Sequence, residues 1–242
     1  MGDKALLIVS GHNELGGTGH KTGFWWEELV APYYEFVQAG FEPVIATPRG
    51  GKPLADPRSD ADALDDPDAV TLVKRFKADA QAMDKLAHTL PLAKVNPDDY
   101  RIVFLVGGHG AMWDLADNPE VARILRRMDQ RGSVISAVCH GPAAFKGVTL
   151  DDGHHLLERR RVTGFSDVEE EQVGLSDIVP FSLEQTLRDS GARFSAAAPW
   201  QPHAVVDGNL VTGQNPMSSR RTAQEAISVA RASGEGGVAL GG

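Results

Sequence analysis

Apolar runs of strand length alternate along the chain with longer stretches of helical period, the pattern of a parallel sheet joined by crossover helices. The first run covers residues 5–9, and a Gly-rich loop follows over 11–23. The period then predicts a helix over about 24–38, stopped by Ala39-Gly40. Pro32 inside it predicts a kink or a break. Residues 42–46 read as a second strand, and 52–68, rich in Pro, Asp and Ala, read as a surface excursion. Helical periodicity returns over 69–90, a buried strand over 101–106, a helix over 119–130 and another buried strand over 134–138. Further on, 161–165 and 192–198 read as strands and 183–188 as a helix. A hairpin over 204–211 turns at Asp207-Gly208, and an amphipathic helix spans about 219–232. The prediction is one domain over 1–232 with a flexible Gly-rich tail over 233–242.

Composition narrows the class. At 242 residues the chain is long enough to bury a full core without disulfide or metal support. A formal net charge of -9 argues against nucleic acid or an anionic membrane surface as partner. One cysteine excludes an intramolecular disulfide, and the N-terminus lacks the apolar core of a secretory signal, so a cytoplasmic location is expected. No apolar run approaches the length of a membrane span.

The strongest chemical signal is where the strand over 134–138 runs into Cys139-His140-Gly141-Pro142. A lone cysteine ending an apolar strand is usually a small buried hydrophobe. Here, however, a glycine follows two residues later and a proline then opens a helix, the plan of a nucleophile elbow. A helix N-terminus behind the sulfur predicts a lowered thiol pKa. His140 is a candidate base, or acts only through its backbone N–H. The acidic stretch Asp167-Val168-Glu169-Glu170-Glu171 offers a third group to orient an imidazole, or is simply a solvated helix start. Gly107-Gly108-His109-Gly110 lacks the spacing of a dinucleotide fingerprint. His12, His20, His109, His154 and His155 raise the question of a metal, but His154-His155 sits in a polar turn and no metal site is expected. Trp25, Trp26, Tyr33, Tyr34 and Phe36 read as core and dimer contact, since no basic residues interleave them.

Val138-Cys139-His140-Gly141-Pro142 resembles the nucleophile turn of the ThiJ/PfpI superfamily, within the class I glutamine amidotransferase-like fold and nearest its heat-shock glyoxalase III-type branch. Other segments resemble the family in the same order. They are Thr22-Gly23 with Glu27-Glu28, Pro32 and Gly40-Phe41, then Gly107-Gly108-His109-Gly110, then Val162-Thr163-Gly164-Phe165-Ser166-Asp167. Pro199-Trp200, the 207–213 turn and Asn215-Pro216 complete the series. Trp25-Trp26 is bulkier than a small-substrate pocket requires, and the 52–68 stretch and Asp152-Gly153-His154-His155 have no clear counterpart.

The resemblance implies a flavodoxin-like three-layer α/β/α sandwich with a mainly parallel sheet, a homodimer and no cofactor. It implies Cys139 as nucleophile with His140 and the acid Glu170 as its triad, Asp167 and Glu169 being the alternative registers. Glu28, rather than Glu27, would shuttle a proton beside the sulfur, and the N–H groups of Gly108 and His140 would form the oxyanion hole. The implied activity is conversion of methylglyoxal-like 2-oxoaldehydes to D-lactate-type hydroxy acids without glutathione, a lyase reaction. A cysteine-dependent amidase, peptidase or protein deglycase, and a stress-linked chaperone or redox sensor, are the alternatives.

Overall fold

The computed structural model describes residues 3–235. The first apolar run forms β1 (Lys4–Ile8), whose apolar residues are all buried, as a strand covered by helices on both faces requires. Helix α1 (Trp26–Gln38) follows the Gly-rich loop and leads into β2 (Glu42–Thr47). Pro32 lies inside α1 without ending it, which corrects the expected break. Leu29, Val30, Tyr33 and Phe36 anchor the helix to the core and offset the one missing backbone bond. The helical stretch expected over 69–90 resolves into α2 (Pro67–Ala78) and α3 (Ala80–Ala87). Asp79 divides them, because its carboxylate accepts from the N–H groups of Gln81 and Ala82 and caps the second helix.

The chain continues through β3 (Leu90–Pro91), β4 (Tyr100–Leu105), the short α4 (Ala111–Asp114), α5 (Pro119–Gln130) and β5 (Val134–Val138). Next come β6 (Arg161–Val162), α6 (Asp167–Gln172), α7 (Leu183–Asp189) and β7 (Arg193–Phe194). The hairpin β8 (Ala204–Asp207) and β9 (Leu210–Gly213) precedes α8 (Ser219–Glu235). Two expected strands shorten. β6 and β7 pair with each other as a two-residue parallel ribbon, and neither joins the main sheet. The chain leaves β6 early because the Phe165 N–H donates to the Cys139 carbonyl, and it leaves β7 because the Ala197 N–H donates to the Gln214 side chain. α8 continues through Ser233 to Glu235, and the rest of the expected flexible tail, 236–242, lies outside the described residues.

The main sheet has seven strands in the order β3-β2-β1-β4-β5-β9-β8, parallel except that β8 runs antiparallel to β9. Its central order, β2-β1-β4-β5-β9, is the 2-1-3-4-5 order of flavodoxin-like sheets. α1 packs with α8 over one face. Right-handed crossovers then place α5, which joins β4 to β5 in the opposite direction across the sheet, on the other face. The buried apolar residues form one contiguous cluster through all three layers. No described helix is long and apolar enough to cross a membrane. Strand order reverses between β1 and β4, so the loops at the carboxyl ends of β1, β4 and β5 open one crevice.

Candidate active site

β5 is buried throughout and delivers Cys139 to that crevice with φ at 57°. A non-glycine residue in this left-handed region costs about 1–2 kcal/mol, so neighbouring structure must impose it. It does. The Cys139 N–H donates to the Gly213 carbonyl at the end of β9 (3.0 Å), and the Cys139 carbonyl accepts from the Phe165 N–H (2.9 Å). Behind the sulfur stands a five-residue 3-10 turn, Gly141–Phe145, in place of the expected helix. The expected lowering of the thiol pKa is therefore corrected. Burial pushes the Cys139 thiol well above its usual range, and the Glu28 carboxyl adds to the effect, while the His140 N–H beside the sulfur acts against it. The resting group is a thiol.

An imidazole stands beside that thiol. His140 Nδ1 lies 3.3 Å from Cys139 Sγ, and His140 Nε2 donates to Glu170 Oε2 at 2.6 Å. Glu170 is buried in the first turn of α6, the acidic stretch of the sequence. Although burial works the other way, His140 and His109 hold its carboxyl far below the usual range, so it is ionised. The alternative registers point elsewhere. Glu169 is fully buried and accepts from Ser166, Gln214, Asn215 and the Trp200 N–H, which ties α6 to the segments flanking the β8–β9 hairpin. Asp167 is exposed and accepts from the Ser182 hydroxyl.

Glu170 also holds a second imidazole, which the sequence offers only as a metal candidate. His109 Nε2 meets Glu170 Oε1 at 2.7 Å. On the far side, Arg58 Nη2 stands 3.3 Å from His109 Nδ1. Burial, and secondarily His140, lower the His109 pKa to about 4, against the pull of Glu170. Arg58 comes from the 52–68 excursion, which reaches inward where a surface loop is expected. Asp56, fully buried, holds its guanidinium at 2.7 and 3.0 Å and also accepts from the Thr22 hydroxyl at 2.9 Å. Nothing in the periodicity of 52–68 marks these residues. Among the described residues, His109, His140 and Glu170 offer ligand atoms within 4.8 Å of one another. Both Nε2 atoms, however, already spend their protons on the carboxylate.

Helix α1 presents Glu28, fully buried in its first turn, to the same sulfur. Neither carboxyl oxygen has a partner at full hydrogen-bond geometry; the polar groups it faces are the Cys139 thiol and the Gly107 backbone. Burial raises its pKa well above the usual range, so it is a neutral acid at rest. Gly107 makes this possible, since a Cβ there would lie 2.2 Å from Glu28 Oε2. Glu27, its neighbour, lines the cavity instead, with a pKa raised to about 7 by burial and by Asp66. Gly108 turns the chain after β4 with φ at 92°. Among the described residues, its N–H and that of His140 make no backbone hydrogen bond.

A cavity of about 390 Å³ opens beside the sulfur. Trp25, Phe165, Trp200 and Met217 form its apolar walls, Glu27, Asp65 and Asp66 add carboxylates, and Cys139, His140, His109, Gly108 and Arg58 also line it. Trp25 is thus a wall of the cavity, while Trp26, Tyr33, Tyr34 and Phe36 are core.

A flavodoxin-like sheet carrying a strained cysteine elbow, with histidine and glutamate in line behind the thiol, defines a class of cysteine-centred α/β proteins. Within it, the DJ-1/PfpI family profile matches residues 21–228, and the chain belongs to that family. It is 32% identical over 231 residues to Glutathione-independent glyoxalase HSP31 of Saccharomyces cerevisiae, covering 93% of this chain and 96% of the relative. It is 30% identical to Glyoxalase 3 of Candida albicans, covering 93% and 97%. The crystal structure of glyoxalase III from Candida albicans superposes with a TM-score of 0.85 at 30% identity, over 94% of this chain and 97% of that one. That of Rapid Encystment Protein 24 KDa from Francisella tularensis does so with a TM-score of 0.89 at 33% identity, over 94% and 99%.

Proposed function

We propose that the chain is a glutathione-independent glyoxalase, a cofactor-free enzyme that turns methylglyoxal-like 2-oxoaldehydes into 2-hydroxy acids. One observation carries the reading: the fully buried carboxyl of Glu28, whose pKa burial raises well above the usual range, faces the thiol of Cys139. The names of the relatives, which the chain spans almost end to end, support it.

The chemistry follows from the positions. His140 Nδ1 takes the thiol proton as Cys139 Sγ adds to the aldehyde carbon, Glu170 stabilises the resulting imidazolium, and that imidazolium passes the proton to the new hemithioacetal oxygen. The oxygen of the hemithioacetal lies toward the N–H groups of Gly108 and His140. Glu28 gives its proton to the ketone oxygen and, as a carboxylate, takes the C–H proton of the hemithioacetal carbon, leaving an enediol; it then returns that proton to the neighbouring carbon and takes the proton of the first hydroxyl, so the thioester forms and Glu28 is neutral again. A carboxyl with a raised pKa suits both directions of that transfer. The product is a thioester of the 2-hydroxy acid. Water cleaves it, releasing the acid and restoring the thiol, so the whole sequence adds one water and needs no redox partner.

Purified protein given methylglyoxal without glutathione should form D-lactate, and Cys139→Ala should form none. Wild-type protein that is folded yet makes no lactate would overturn the reading.

A further inference from the structure

The triad carboxylate, Glu170, holds two imidazoles, one on each oxygen, yet only His140 reaches the sulfur. The second limb is continuous: Asp56 grips Arg58, Arg58 reaches His109 Nδ1, and His109 Nε2 reaches Glu170. A guanidinium has donors and no acceptor, so His109 Nδ1 must accept. Its proton then sits on Nε2 and is donated to Glu170. The depressed pKa of His109 agrees with a ring that stays neutral. The His109 and His140 rings lie 4.0 Å apart at their centroids, and Phe165 covers His140 at 4.5 Å, so neither ring is free to turn.

We propose that His109 and Arg58 are positioning residues. Arg58 fixes the tautomer of His109, and His109 pins Glu170 so that its other oxygen stays in line with His140. The carboxylate of an ion pair with one donor can rotate; a carboxylate held at both oxygens cannot. The 52–68 excursion is on this view part of the site, delivering one guanidinium to the back of the triad. His109 holds a proton in place and passes none on.

The inference rests on Cys139, His140 and Glu170 working as a triad, and its test has an arm independent of the glyoxalase reaction. His109→Leu removes the donor, whereas His109→Gln keeps an amide donor and acceptor that cannot titrate. Because Cys139 is the one cysteine, its alkylation by iodoacetamide reports thiol activation directly. Loss of a buried charge-assisted bond predicts that His109→Leu lowers kcat for methylglyoxal about ten- to hundredfold, leaves KM within about twofold, and slows alkylation in parallel. His109→Gln should recover most of both. Wild-type rates in His109→Leu would overturn the proposal, and so would a His109→Gln as slow as His109→Leu, which would make the ring a proton carrier. Should His109→Leu fail to fold, Arg58→Lys decides. It keeps a charge for Asp56 but loses the reach to His109, so kcat should fall severalfold at constant KM, and an unchanged kcat would overturn the proposal. Absence of lactate from wild type would sink the glyoxalase reading alone; the alkylation arm would still decide this one.

Discussion

Two glutamates beside the Cys139–His140 pair sit in opposite states, and their surroundings set both. Glu28 is buried with no cation beside it and stays protonated, while Glu170 is buried between two histidines and stays ionised. The linkage signs are opposite too. A folded pKa raised above the unfolded value gives Glu28 a contribution that is present below pH 4.5 and is lost as pH climbs toward its folded pKa. Glu28→Gln should therefore melt higher than wild type at pH 7–8, and the gap should close toward pH 4–5; a gap independent of pH would contradict a buried titrating acid. His109, lowered from 6.5 to about 4, destabilises the fold as pH drops through that window, because the unfolded chain takes up the proton first. The local sequence marked Cys139 and His140, and the family resemblance added Glu28 and Glu170. It could not carry His109 or Arg58 as partners, because a guanidinium 51 positions away in sequence meets that ring only after folding.

At the scale of elements, the position of Glu28 depends on how α1 begins. Its N-cap residue, Trp25, supplies no side-chain acceptor; instead Ser59 of the excursion accepts from the Trp26 N–H at 3.1 Å. The excursion is also stitched to the loop before α1, with Phe24 bridged to Ala55 and Gly23 so close to Leu54 that a Cβ would stand 2.0 Å from its carbonyl oxygen. Ser59→Ala should cost about 0.5–2 kcal/mol, the range for a lost N-cap, and urea unfolding measures it. Turnover should drop with it as the first turn of α1 loosens around Glu28; unchanged stability would mean that the cap is dispensable. Elements governed by local period were legible, including α5 at its observed limits and the strand leading to Cys139. Those governed by remote bonds were not. β6 and β7 ended early because Phe165 and Ala197 donate elsewhere, and the inward course of 56–59 depends on a buried Asp56 that binds Arg58, a pairing that no spacing announces.

For the molecule as a whole, a net charge of -9 extends into the cavity, where Glu27, Asp65 and Asp66 face one guanidinium already tied to Asp56. Such a field favours cationic visitors and is screened by salt. A trimethylammonium methanethiosulfonate should label Cys139 faster than its sulfonate counterpart, by a ratio larger than a small free thiol shows. Salt, or Asp65→Asn with Glu27→Gln, should shrink the excess; a ratio equal to that of the free thiol would show that the cavity does not select by charge. A parallel sheet with crossover helices was legible from alternation of strand and helix, because parallel strands must be joined by crossovers, while its flavodoxin-like architecture came from the family resemblance. The charge and aromatic lining of the cavity were not, since they are assembled from α1, the excursion and the loops holding Phe165, Trp200 and Met217.

The most direct test of the account is to give Glu28→Gln methylglyoxal and measure both D-lactate and the mass of the protein. The account predicts that the variant adds methylglyoxal to Cys139, because His140 and Glu170 are intact, and makes no more than about a hundredth of the wild-type lactate. Lactate at the wild-type rate would contradict it, since the proton would then move between carbons without the carboxyl that the fold buries beside the sulfur.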